Sequence, residues 1–471
     1  MSLLISGATI IDGVAESPIE GRSIWIDGGR IKAIGTRDEL KAASAVKVID
    51  ARGKYVIPGL MNANVHLLID RRLENLVRYM GRYEELIAEA AQLALKNGLT
   101  TVFDTNGMRK PLVAARDRIA AGEIPGSRIF CSGWIVGMDG PFSRDYNQKA
   151  AEVASVDLVK RINSLCVENM GPDLMWMTPD QVAHEVRTHI AKGIDFIKYA
   201  ANDHLGASLS FSERVQSALV EECHRAGITA QAHTTSVEGV WTAIQAGCDL
   251  LQHVNVTGPV PLPEATLELL ANRKTGAVVF PFTQRRLDVI MKQRGGELAQ
   301  VQRRLFASID TNCRNLIRCG AVILLANDGG IRAPEAQNDP RTKDIWIAPG
   351  EDNLNDLREG HFFWFKAMEE KGMAPMAMLK AATRNIAVAY GKDKDLGTLE
   401  PGKIADLLIL NKDPLQSSEN YRGIHMILKD GAIVDRDALP VNPMLTRPAE
   451  PLPEEAATYG RYAVGSFPPC C

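Results

Sequence analysis

Three of the nine histidines, His66, His233 and His253, close short apolar runs, and another such run closes on Asp328. Neutral imidazole and carboxylate at strand ends are common donors to zinc and related divalent metals. One histidine placed this way is ordinarily a satisfied core or turn residue; three in register with a carboxylate point to a metal centre. Asn64 stands two positions before His66, and in a strand that spacing turns both side chains to the same face. Its amide oxygen is a neutral, harder and weaker donor than imidazole. Lys198 closes the run Phe196-Ile197-Lys198 and is the odd member, because an ammonium group would repel metals. Two readings remain open for it. It pairs with Asp195 or Asp203, or it loses its charge on desolvation and reacts with carbon dioxide, giving a carbamate whose two oxygens can bridge two metal ions.

To meet, these residues must share one end of one framework. From 53 to 396 apolar strand-like runs alternate with longer helical patterns, as in a parallel sheet with crossover helices. Eight such runs end at His66, Asp104, Ser132, Lys198, His233, His253, Phe280 and Asp328. Eight strand and helix units predict an α/β fold, a closed (β/α)8 TIM barrel, whose chemistry gathers at the C-terminal ends of the strands. The flanks read differently. Residues 3–50 alternate short apolar runs with Gly and Asp turns, and the same texture returns at 405–410 and 424–428. Segments 1–52 and 397–440 are therefore expected to pair into a small β-sandwich. From 441 to 471 the chain is proline-rich, a tail expected to lie over its own surface or a neighbour's.

Two long excursions interrupt the barrel pattern, 133–190 after the third strand and 329–360 after the eighth. Loops on that face normally build the substrate pocket. The first carries Trp134, Met138, Phe142 and Trp176 and the second Ile331, and these together with His204 are the candidate substrate-binding residues. Aromatic and Met clusters also serve as plain core. His204, six residues beyond Lys198, reads as a loop histidine able to orient substrate; His184, His189, His224 and His425 read as surface or packing residues, and His361 stays undecided.

The net charge of -3 leaves no basic field for nucleic acid or an anionic membrane. The N-terminus lacks a basic leader followed by a long apolar core, and no later segment reaches spanning length, so a cytoplasmic protein is expected. The eight cysteines show no C-x-x-C spacing, which suits free thiols in a reducing compartment. Cys470 and Cys471 end the chain without an assigned role.

The run Val56-Ile57-Pro58-Gly59-Leu60 before Asn64-x-His66, the Phe196-Ile197-Lys198 strand, Ala232-His233, Gln252-His253, Asn327-Asp328-Gly329 and the closing Pro401-Gly402-Lys403-Ile404-Ala405-Asp406-Leu407 resemble the amidohydrolase superfamily in order and spacing. The resemblance implies a (β/α)8 barrel with an attached β-sandwich and metal-assisted hydrolysis. It further implies two divalent metal ions per chain, zinc first, with iron or manganese as alternatives. By motif match His66 and Asp328 hold the more buried ion, His233 and His253 the other, and Lys198 as N6-carboxylysine bridges them. Asn64 occupies the place of a usual first histidine. An Asn-x-His first strand is similar to that of the phenylurea hydrolases, a subgroup that cleaves aryl ureas to an aniline. Gly140-Pro141 stands where dipeptidase relatives tend to carry Gly-His, which favours an apolar aromatic substrate. The implied reaction is cleavage of a urea or amide C–N bond by a metal-bridging hydroxide, with Asp328 carrying the proton to the departing nitrogen. A dipeptidase or other carboxylate-substrate amidohydrolase, anchored by Arg332, is the second enzymatic reading; a metal-less barrel used as a scaffold is the reading from another class. The expected partners are a small aryl urea or anilide and further copies of the chain.

Overall fold

The computed structural model describes residues 2–40, 47–68, 74–204, 206–293, 297–331, 352–448 and 451. Ser2–Ile10 (β1) pairs antiparallel with Ile19–Asp27 (β2), and β2 with Arg30–Gly35 (β3). Lys47–Asp50 (β4) and Tyr55–Pro58 (β5) both run parallel to β1. The barrel strands follow as Leu60–Val65 (β6), Leu99–Asp104 (β7), Arg128–Cys131 (β8), Phe196–Ala200 (β9), Thr229–His233 (β10), Leu250–Gln252 (β11), Gly276–Val279 (β12) and Val322–Leu325 (β13). Leu407–Leu410 (β14), Ile424–Lys429 (β15) and Ala432–Ile433 (β16) return to the first sheet, β14 pairing antiparallel with β5. The two ends of the chain thus join in one eight-stranded sheet.

Period-2 alternation explains how β14 serves two cores. Leu407 and Ile409 pack with Leu3, Ile5, Ile24, Ile26 and Val56, whereas Leu408 and Leu410 face the barrel core. All four are buried, so the strand reads as a continuous apolar run. β5 was expected inside the barrel and instead belongs to the terminal sheet, since the chain turns into the barrel only at Gly59. A β-carbon there would overlap the Thr100 side chain, so only glycine lets the two strands cross this closely.

The barrel is laid down as a three-stranded ladder, β6-β7-β8, and a five-stranded one, β9 to β13. Its two seams are joined just past the strand ends by parallel bridges, Val65 to Gly329 and Val136 to Tyr199. At the first seam His66 N donates to Gly329 O at 2.9 Å and Asp328 N to Asn64 O at 3.1 Å. At the second, Val136 N donates to Lys198 O and Ala200 N to Val136 O, both at 2.9 Å. β9 therefore continues two residues beyond Lys198, where the sequence pattern ended it, because Val136 supplies it with an edge partner.

Crossover helices begin at side-chain caps where orphan amides need acceptors. Thr178 and Gln181 form a capping box ahead of Pro179–Ile190, and Ser212 and Ser236 cap Glu213–Arg225 and Val237–Gln245. The alanine-rich helix Tyr83–Lys96 carries Glu84 and Glu85 in its first turn and Lys96 in its last, matching the helix dipole. The tail lies over this helix. Gln92 accepts from Val441 N at 2.7 Å, and the buried Glu89 carboxylate accepts from the amides of Met444, Leu445 and Thr446. Pro453, Cys470 and Cys471 lie outside the described residues. Among the described residues no helix is long and apolar enough to cross a membrane.

Candidate metal centre

Parallel strands deliver their C-terminal residues to one end. His66 follows β6, His233 ends β10, His253 follows β11 and Asp328 lies just beyond β13. His253 and Asp328 adopt left-handed backbone at φ 60° and 50°, a conformation that costs a non-glycine residue about 1 kcal/mol or more and clusters at functional sites. His66 Nε2 and Asp328 Oδ1 are 2.8 Å apart. The rings of His233 and His253 lie 4.8 Å apart, and His204 stands edge-on to His233 at 4.9 Å.

Asn64 and Lys198 join through an unforeseen residue, Thr105. Its hydroxyl donates to Asn64 Oδ1 at 2.6 Å and accepts from Lys198 Nζ at 3.2 Å. The carboxylates offered as ion-pair partners for Lys198 are engaged elsewhere: Asp195 meets Arg116 at 2.9 Å and Asp203 accepts from the amides of Ala207 and Ser208. Lys198, Asn64, His233 and His253 are all fully buried.

Burial and neighbouring positive charge set the protonation states. Burial first, then Lys198, His204 and His66, hold His253 down to about 3 against the pull of Asp328. His233 falls well below its usual value through burial and the adjoining His204, His253 and Lys198. Burial would raise Asp328, but His66, His253 and Lys198 overcome it and hold the carboxyl down to about 2. Asp104, at the end of β7, goes the other way: burial pushes it up to about 6 despite His66 and the amides of Leu67 and Asn106. Near neutral pH His233 and His253 are therefore uncharged and Asp328 ionised, the states in which these groups donate to a cation.

The donor set fits a metal by a further test. Both ring nitrogens of His233 and of His253, Nδ1 of His66 and Oδ2 of Asp328 are buried without a hydrogen-bond partner among the described residues. Buried polar atoms are ordinarily paired, and each of these four neighbouring residues has at least one unpaired atom with which it could donate to a cation. Among the described residues no three His, Cys, Asp or Glu side chains form a cage by themselves. Asn64 and Lys198 lie at the same end.

A line of rings approaches from the excursion after β8. Trp134 lies 5.3 Å from Tyr146, and Tyr146 stands edge-on to His204 at 4.7 Å. Met138 is buried beside them, with Tyr146 OH 3.7 Å from its Sδ, and Phe142 is buried with its backbone bound to Asn163 at 2.8 and 3.0 Å. Trp176 stands outside this cluster, 87 % exposed at the end of the turn Pro172–Trp176. Ile331 is buried, and Arg332 lies outside the described residues. His361 is buried and bound through Nε2 to Asn97 O at 3.0 Å, a packing role. The sequence reading marks Asp104 as a strand end but gives neither it nor Thr105 or Tyr146 a place in the site; the signal was the polar Asp104-Thr105-Asn106 following an apolar run.

The amidohydrolase family matches residues 55–434. A solved molinate hydrolase is 36% identical, with a TM-score of 0.87 over 96% of this chain and 98% of that one. Phenylurea hydrolase B is 34% identical, with a TM-score of 0.87 over 96% of this chain and 100% of its own. The ochratoxinase of Aspergillus niger is 25% identical over 443 residues, 89% of this chain and 83% of that protein. A Xaa-Pro dipeptidase at 20% identity and a TM-score of 0.68, covering 92% of this chain and 100% of its own, shares the fold.

Proposed function

This chain belongs to the amidohydrolase family and hydrolyses carbon–nitrogen bonds, and from that premise we propose that its substrate is a small N-aryl urea or anilide, released as an aniline. The observation that carries this reading is the ring line Trp134, Tyr146, His204, His233, which sets buried aromatic rings against the donor cluster where an aryl group could pack. Similarity to phenylurea hydrolase B over nearly the whole chain supports an aryl urea, and similarity to molinate hydrolase supports a small substrate.

Two divalent cations, zinc first and iron or manganese as alternatives, held by Asn64, His66, His233, His253, Asp328 and Lys198 as N6-carboxylysine, would acidify a water and polarise the scissile carbonyl. The chain's own groups do the rest. Asp328, ionised and oriented by His66 at 2.8 Å, takes the proton of the attacking water and returns it to the departing nitrogen. His204 is kept neutral by burial, down to about 4, and can hold the substrate carbonyl without repelling cations. Lys198, fully buried and hydrogen-bonded to the Thr105 hydroxyl at 3.2 Å, is the amine that would take up carbon dioxide to become the carbamate. The dipeptidase alternative rests on fold likeness alone.

The test is a panel of N-aryl ureas, anilides, molinate and dipeptides, assayed with metal analysis before and after chelation. Aryl urea or anilide turnover that disappears with about two ions per chain and returns on their restoration is expected. Turnover that survives complete metal removal, or that is confined to dipeptides, overturns the proposal. A homo-oligomer belongs to the same reading and is checked by light scattering.

A further inference from the structure

Side-chain amides fill the barrel interior beneath the donor cluster. Asn62, Asn64, Gln231, Gln252 and Asn327 are fully buried there, with Tyr390 beside them. Branched aliphatic residues normally fill such a layer, and buried amides are costly unless every donor and acceptor is matched.

The direction of each bond can be worked out from one acceptor-only group, the Ala63 carbonyl. Tyr390 OH donates to it at 2.8 Å, well inside its 3.4 Å separation from Gln231 Oε1, so the single hydroxyl proton goes to the carbonyl. The phenol oxygen can then only accept, and it does so from Gln231 Nε2 at 3.2 Å. Gln231 Oε1 is thereby turned to Gln252 Nε2, which donates to it and also approaches Ala63 O at 3.4 Å. Gln252 Oε1 is left facing Asn64 and accepts from Nδ2 at 2.9 Å. The oxygen of Asn64 is consequently the end presented to Thr105 and Lys198.

An amide donor to a cation has a wrong end, which imidazole and carboxylate lack. Its oxygen and NH2 group are almost equal in size, so shape cannot select between them and hydrogen-bond direction must. We propose that Gln252, backed by Gln231 and Tyr390, is a positioning residue that locks Asn64 with its oxygen toward the metals. The inference rests on the metal-centre reading above.

The experiment measures Zn2+ affinity of the metal-free full chain by chelator competition in bicarbonate buffer, before and after Gln252→Met, in the native and Asn64→Asp backgrounds. A carboxylate has oxygen at both ends, so orientation ceases to matter. Gln252→Met is expected to weaken zinc binding about 10- to 100-fold with Asn64 in place. In the Asn64→Asp background the change should stay within about twofold, the scatter of independent effects. Equal weakening in both backgrounds, or none in the native one, overturns the inference. Should Gln252→Met fail to fold by thermal unfolding, Tyr390→Phe at the far end of the chain of bonds is read in the same two backgrounds with the same outcomes. A native chain that binds no zinc overturns the metal-centre reading and this inference with it, whereas zinc binding unaffected by either variant overturns this inference alone.

Discussion

Asp328 combines two demands that substitutions can separate. Its backbone sits at φ 50°, which Asn tolerates and a β-branched residue does not. Asp328→Asn should therefore keep the fold while kcat falls about 10²- to 10⁴-fold for want of a proton carrier. Asp328→Val should lose the same activity and a further 1–3 kcal/mol or so of stability, a difference read from the two denaturant midpoints. Thr105 invites a similar comparison. Its hydroxyl donates to Asn64 and accepts from Lys198 in a buried setting, so Thr105→Val should cost about 1–3 kcal/mol in the metal-free chain. Thr105→Ser should recover most of it, and equal stability of all three in urea would remove Thr105 from the account.

At the scale of elements, the helix Gly360–Glu370 is tied to the end of Tyr83–Lys96 by His361, whose Nε2 reaches Asn97 O at 3.0 Å. Burial carries its pKa from 6.5 down to about 3. Since the folded value is the depressed one, the unfolded chain takes up the proton first on acidification. The contribution of His361 to stability is thus fully present above pH 6.5 and is lost progressively as pH falls toward about 3. His361→Gln keeps a donor for Asn97 but cannot titrate, so the slope of unfolding free energy against pH in that window should flatten by up to about 1.4 kcal/mol per pH unit. Urea titrations at a series of pH values decide this, and parallel curves would show that His361 does not govern the acid limb.

Across the whole molecule, the tail returns to the first part of the barrel and is held there by Glu89, whose carboxylate takes the amides of Met444, Leu445 and Thr446. Glu89→Gln leaves one acceptor oxygen for these donors and should lose about 1.5–3 kcal/mol. Limited proteolysis should then nick the chain beyond 438 sooner than in the native protein; unchanged cleavage would mean that Met444 and Leu445 anchor the tail by burial alone. How much of this could be read beforehand depends on the range of the physics. Strand-end histidines, the Asn-x-His spacing and the β/α alternation are local patterns, and parallel strands carry their ends to one side by geometry, so the barrel and the residues crowding its mouth were legible in order along the chain. Pairing partners were not. That β5 leaves the barrel for the terminal sheet, that Val136 extends β9, and that Thr105, Tyr146 and Gln252 meet Lys198, His204 and Asn64 across gaps of 93, 58 and 188 residues are non-local facts. A hydrogen bond is directional and short, whereas periodicity reports only which face a side chain takes. The sequence alone therefore determined the framework and the kinds of donor at its mouth; tertiary structure decided which way each amide turns and which neighbour sets each charge.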